Sequence, residues 1–485
     1  VSEEQEGARS GGVAALFRRH RLAWIVTASA LAFAMLGAGA VFAGVAYGAQ
    51  RRAAPAAERS VSPTATPRPT PATPSVADRL RTCSIAAQAA DPRLMTLEAS
   101  VMRADSGEVL FDRNGATPSA TASLLKVIVA AAAVDVLGAD YQIATDVVDG
   151  STPGTIVLVG HGDATLSALG PGRESVYAGA PKLSDLAAQT LGAYAAKHPG
   201  VTITNVVLDA SYWSDGGSWD PDVKMSERTQ GYQSYTTALQ VDGDRQDPTK
   251  QTSPRGTDPV ADAGRDFLAA LKAADTSGIV SPTIAATPGT ATAGAARLAE
   301  VKSQPVRVLL SQMLLPSDNT LGEMLARVVS KASGLDGSAA SLQQAIPAAL
   351  APFGVPTAGL TIRDGSGESP RNAVPASTLS QLMRVVAAGS QNLDVVRDAL
   401  PVAGKSGGLQ SRFSGSNAVA RGHVTAKTGW IDTEYSLSGF IDAADGTRLT
   451  FTFYAMGAGI KSTAQSALDT LATAVYTCGD NLSNN

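Results

Sequence analysis

Ser123 and Lys126 stand three residues apart, a spacing that puts a hydroxyl and an amine on one face of a helix. A lysine amine takes a serine proton only while it is neutral. The pair therefore calls for a buried lysine with a depressed pKa, and the chemistry it serves is acyl transfer through a serine ester. Two distant segments supply what such a reaction lacks. In Ser317-Asp318-Asn319, Ser317 would pass a proton between Lys126 or Lys427 and the leaving nitrogen, Asn319 would bond the substrate amide, and Asp318 is expected to point away. In Lys427-Thr428-Gly429, strand alternation puts Lys427 and Gly429 on one face. Gly429 would let a substrate lie along the strand edge, and Lys427 with Thr428 Oγ1 would meet a terminal carboxylate. The backbone N–H groups of Trp430 and Ser123 form the natural oxyanion pair, and Lys427 is expected to lower the pKa of Lys126. Each segment alone reads as an ordinary cap or turn. Their joint order and placement point to one acyl-enzyme site.

The elements that must hold these residues are legible in part. Leu94 to Arg103 reads as a strand, Ser106-Gly107 as a turn and Glu108 to Asp112 as the return. Leu124 to Leu137 lacks Gly and Pro and is apolar nearly all round, so it predicts a helix buried in the core. Gly422 to Thr428, Tyr435 to Asp442 and Thr447 to Ala455 predict three strands, the last two joined by Asp445-Gly446, and Ser462 to Tyr476 a closing helix. The two ends make one α+β domain, an antiparallel sheet flanked by helices, over 79–145 and 305–485. Short strand-like runs between them, such as Thr155 to Val159 and Thr202 to Leu208, predict one or two mainly-β subdomains inserted over 146–304.

The chain of 485 residues is 44% hydrophobic and 17% charged, enough for a large core, and its formal net charge of -4 offers no basic field for nucleic acid. Its four histidines, His20, His161, His198 and His423, form no zinc-binding His-Glu-x-x-His pair, and no metal or cofactor is expected. Leu22 to Ala49 is an uncharged, largely apolar run of about 28 residues, long enough to cross a bilayer. It predicts a transmembrane anchor (22–49) behind a cytoplasmic tail (1–21), with a cleaved signal peptide as the alternative. Residues 50–78, rich in Pro, Thr and Ala, read as an extended stalk. Cys83 and Cys478, the only cysteines, flank the part beyond the stalk and suggest a disulfide clasp in an oxidising compartment.

With those residues placed, the chain resembles the D-alanyl-D-alanine carboxypeptidase/endopeptidase family, the class C low-molecular-mass penicillin-binding proteins. Gly107 to Asp112, Gly162-Asp163-Ala164-Thr165-Leu166, Leu208-Asp209, Asp364-Gly365-Ser366-Gly367 and the region of Arg412 carry the resemblance further. It implies a penicillin-binding/serine β-lactamase-like transpeptidase fold and cleavage of peptidoglycan stem peptides, with β-lactams as acylating inhibitors. It also implies Ser123 as nucleophile, Lys126 as base, Ser317 and Asn319 as relay and substrate pair, and Lys427 with Thr428 as the carboxylate-binding strand. Two positions depart from the family pattern. Trp430-Ile431 replaces the usual Thr-Leu after Lys-Thr-Gly, and Glu368 stands where leucine is usual. Glu368 and Asn372 share the spacing of the deacylating pair of class A β-lactamases, which reads here as coincidence, with Glu368 solvated. A β-lactamase or esterase on this scaffold, and an inactive wall-binding scaffold, are the competing readings.

Overall fold

A hairpin opens the catalytic part, β1 (Thr96–Arg103) and β2 (Val109–Arg113), where Gly107 takes a positive φ of 77°. This computed structural model describes residues 80–484 apart from Asp215. The expected tail, anchor and most of the stalk lie outside the described residues, among which no helix is long and apolar enough to cross a membrane. After the short β3 (Pro118–Ser119) comes α1 (Leu125–Leu137), whose residues 125–134 are all buried, as its all-round apolarity predicts.

The inserted segment carries β4 (Ala144–Asp149), β5 (Thr155–Gly160), β6 (Ile203–Asp209), β7 (Val280–Pro288) and β8 (Arg297–Lys302). They form one sheet in the order β7-β6-β5-β4-β8. Here the mainly-β expectation fails. β5, β6 and β7 run parallel, and parallel neighbours need crossovers, which are α2 (Leu183–Lys197) and α3 (Pro259–Ala274). Leu183, Leu186, Ala187, Thr190, Leu191 and Tyr194 are the buried side of α2, a helical period in a stretch where only strand runs were read. The insertion is an α/β unit with a mixed sheet.

The chain returns through α4 (Val306–Leu314), α5 (Asn319–Ala332), β9 (Val374–Pro375) and α6 (Ala376–Ala388). It ends in β10 (Val424–Ile431), β11 (Glu434–Asp442), β12 (Arg448–Met456) and α7 (Thr463–Cys478). The second five-stranded sheet, in the order β10-β11-β12-β1-β2, is antiparallel throughout. Its two faces are covered separately. Phe440 and Tyr454 share a core with Leu379 and Leu382 of α6, whereas Leu437, Phe451 and Phe453 share one with Leu468 and Leu471 of α7. Cys83 and Cys478 are bonded, with Cα atoms 5.5 Å apart, tying the start of the described chain to the end of α7.

Candidate active site

The turn entering α1 sets the geometry. Ala122 sits at φ 44°, and Ser123, 6% exposed, opens toward a cavity of about 320 Å³ bordered by Ser317, Asn319, Glu368, Thr428 and Trp430. Lys126, fully buried one turn on, places Nζ 2.9 Å from Ser123 Oγ, 2.6 Å from Asn319 Oδ1 and 2.6 Å from the Ser366 carbonyl. A neutral amine has two N–H groups and one lone pair. Asn319 and Ser366, both acceptors here, match the two N–H groups of the neutral form and leave its lone pair for the Ser123 hydroxyl proton; in the charged form the third N–H donates to Ser123 Oγ.

Burial pushes the Lys126 ammonium down, while the carboxyls of Glu368, Asp364, Glu323 and Asp318 pull it back up. Lys427 is pushed down further, first by burial and then by the charge of Lys126. Repulsion between two ammonium groups is mutual, so the expectation that Lys427 depresses Lys126 keeps its sign, and the acids that α5 and the 364–368 loop bring around Lys126 oppose it.

Ser317 takes a positive φ of 62°, which lets the chain turn before α5 and directs Oγ to Lys427 Nζ at 2.9 Å. Asp318 caps α5 by accepting from the Leu321 N–H at 3.0 Å. Its other oxygen turns into the inserted unit, accepting from Arg245 Nη2 at 2.6 Å, Gln251 Nε2 at 2.9 Å and the Tyr177 hydroxyl at 3.1 Å. Burial alone would raise this carboxyl; Arg245 and Arg255 outweigh it and hold the pKa down at about 2. The turn presenting Ser317 and Asn319 is thereby fixed from behind.

On β10, Lys427 is buried, and its Nζ also donates to the Thr428 carbonyl at 2.8 Å. Gly429 does its work against the protein. A Cβ there would collide with Ser436 Oγ and lie 2.9 Å from Ala122 Cβ and 3.0 Å from the Thr121 carbonyl, so the glycine lets the strand press on the nucleophile turn. The outer edge of β10 faces the cavity. Ala426 N donates to the Pro401 carbonyl and Ala403 N to the Val424 carbonyl, and strand parity points the main-chain groups of Thr428 and Trp430 the same way. The Trp430 ring is 48% exposed at the rim.

The structure thus brings Ser123, Lys126, Ser317, Asn319, Lys427, Thr428, Gly429 and Trp430 into one site, with Asp318 turned away. Sequence reasoning missed Glu323, Arg245 and Tyr177, named Ser366 only within the Asp364 to Gly367 motif and read Glu368 as solvated. Glu323 accepts from the Gly365 and Ser366 N–H groups, so it aims the Ser366 carbonyl at Lys126. Its signal was present, since Asn319, Glu323 and Arg327 recur every four residues as polar groups on a buried helix. Glu368 is not solvated as expected; it is partly buried and accepts from Asn319 Nδ2 at 2.7 Å. Asn372 is engaged elsewhere, with Asp364 and the Arg363 N–H, so the two do not act as a pair.

A family model for the D-Ala-D-Ala carboxypeptidase 3 (S13) family matches residues 81–257 and 238–475. The chain belongs to this family. A carboxypeptidase of Mycobacterium tuberculosis is 36% identical over 418 residues, 84% of this chain and 86% of that one. Carboxypeptidase DacB of Mycolicibacterium smegmatis is 33% identical over 466 residues, covering 94% and 96%. Among solved structures, penicillin binding protein 4 from Haemophilus influenzae matches 78% of this chain and 94% of its own, with a TM-score of 0.63 and 19% identity, a likeness of fold. As an S13 family member the chain is a serine-type D-Ala-D-Ala carboxypeptidase.

Proposed function

We propose that Ser123 is the nucleophile and Lys126 its base in cleavage of D-Ala-D-Ala stem peptides of peptidoglycan. The observation that carries this reading is the Lys126 amine with two acceptors satisfied and Ser123 Oγ 2.9 Å away. Lys126 takes the hydroxyl proton as Oγ attacks the carbonyl of the penultimate D-alanine. The Ser123 and Trp430 N–H groups hold the resulting oxyanion. Ser317 gives its hydroxyl proton to the departing amine of the terminal D-alanine, whose carboxylate rests on Lys427 and Thr428, and takes one from Lys427. This leaves Lys126 protonated and Lys427 neutral in the acyl-enzyme. Water then cleaves the Ser123 ester.

Action on D-amino-acid cross-links belongs to the same proposal, because their leaving amine also sits beside a carboxylate that Lys427 and Thr428 can hold. β-Lactams acylate Ser123 in the same way; penicillin binding protein 4 from Haemophilus influenzae has been solved in complex with one. We further propose that residues 22–49 tether the chain to a membrane and place the site outside it, which the apolar run of about 28 residues supports.

The test is mass spectrometry after labelling with fluorescent penicillin. One adduct at Ser123 is expected, absent in Ser123→Ala and formed far more slowly in Lys126→Ala. Labelling of another serine refutes the assignment, and an adduct turned over within seconds favours a β-lactamase.

A further inference from the structure

We propose that Glu368 is a positioning residue for serine acylation: through Asn319 it decides which atom of that amide faces Lys126. This rests on the proposed roles of Ser123 and Lys126. A carboxamide can present either its oxygen or its NH₂ to a neighbour, and the surrounding hydrogen bonds select between them. At this position the choice has a catalytic consequence. With Oδ1 toward Lys126, the amine donates to Asn319 and to the Ser366 carbonyl, and its lone pair is free for the Ser123 proton. With the amide turned over, an NH₂ donor would face Nζ and compete for that lone pair.

Glu368 settles the orientation because its carboxylate, when ionised, only accepts. Its Oε1 lies 2.7 Å from Asn319 Nδ2, which leaves Asn319 Oδ1 at 2.6 Å from Lys126 Nζ. The second Nδ2 proton of Asn319 remains for a substrate carbonyl. Glu368 also borders the cavity that Ser123 enters, together with Glu227 and Trp430.

The same carboxyl acts on Lys126 by charge. The groups facing Lys126 are Glu368 and Asp364 from the 364–368 loop, Glu323 and Asp318 from the start of α5, and Lys427 on β10. Those facing Glu368 are Lys126, Glu323 and Asp432. Glu227 is a further acidic neighbour, since Glu368 raises its pKa. Burial raises the Glu368 carboxyl, and the charge of Lys126 opposes that rise. Removing the charge of Glu368 frees Lys126 to lose its proton at lower pH.

The two contributions separate in two variants of the full chain, read by the second-order rate of penicillin acylation at Ser123 against pH. In Glu368→Leu, which has no acceptor and no charge, the maximal rate falls tenfold or more and the acid limb moves down by about one unit. Glu368→Gln keeps an acceptor for Asn319 Nδ2; it recovers much of the lost rate while keeping the shifted limb. Thermal unfolding of both variants identifies any that do not fold. A folded Glu368→Leu that acylates at the wild-type rate overturns the orientation role. An unshifted acid limb in both variants overturns the coupling to Lys126. Absence of a Ser123 adduct in the wild type overturns the underlying assignment of the nucleophile instead.

Discussion

The two five-stranded sheets of this molecule solve different problems. In the catalytic sheet the central strands β11 and β12 are buried along almost their whole length, because α6 and α7 cover opposite faces. In the inserted sheet β7 and β8 bury only scattered residues and the rest meets solvent. The first must hold an ungainly object, a lysine side chain buried on its edge strand. A doubly covered antiparallel sheet supplies the necessary rigidity, since each strand is fixed by its ladder and by packing above and below. The second carries no member of the catalytic set. The inserted segment reaches the site at Asp318, whose carboxylate accepts from Arg245, Gln251 and Tyr177; in the Arg245–Asp318 pair both side chains are almost completely buried.

That contact is the place to break the comparison. Arg245→Ala strands the Asp318 carboxylate without its main partner, and removing one member of a buried pair costs about 3–5 kcal/mol. Denaturant unfolding is expected to show a loss of that size, with slower acylation of Ser123 as the Ser317–Asn319 turn loosens. The pH dependence has a definite sign. Asp318 is depressed to about 2 in the folded chain against about 3.9 unfolded, so its stabilisation is complete above pH ~4 and is lost as pH falls toward 2. The gap between wild type and Arg245→Ala should therefore close in acid. A pH-independent gap would assign the effect to packing alone.

A smaller effect sharpens the contrast within the catalytic sheet. Ser438 Oγ lies 2.8 Å from Thr452 Oγ1, which is 3.0 Å from Ser380 Oγ on α6, a buried polar chain joining sheet to helix. Thr452→Val removes one bond from each of the two neighbouring hydroxyls, which keep the Ser100 and Phe451 carbonyls as partners, and is expected to cost about 0.5–1.5 kcal/mol in chemical denaturation. Smallest of all is Ala285→Ser on the exposed side of β7, expected to change stability by less than about 0.5 kcal/mol. Equal costs for these two would mean that the sheets do not differ as their burial implies.

Much of the catalytic half was legible because its signals are local. The apolar run of α1, the Asp445-Gly446 turn and the alternation of the last three strands each act over a few residues, and the observed ends fall within a few residues of those expected. The insertion was misread for the converse reason. Its strands are short and apolar whether paired in parallel or antiparallel, and only the crossovers α2 and α3 separate the two. Gly429 was placed on the correct face, but what it faces, the Thr121-Ala122 turn, lies some three hundred positions away in the chain.

The amino-acid order by itself determined which groups can do chemistry: a serine and a lysine one helical turn apart, a capping turn and a strand carrying a second lysine. Helical and strand periods are properties of neighbouring residues, so no distant contact was needed to read them. Only the tertiary structure decided the state of those groups. Whether Lys126 is buried, how many acids surround it, which end of Asn319 it meets and what Glu368 holds all depend on elements α5, β10 and the 364–368 loop converging on one point. Charge and desolvation act through space over a few ångströms and are blind to separation along the chain.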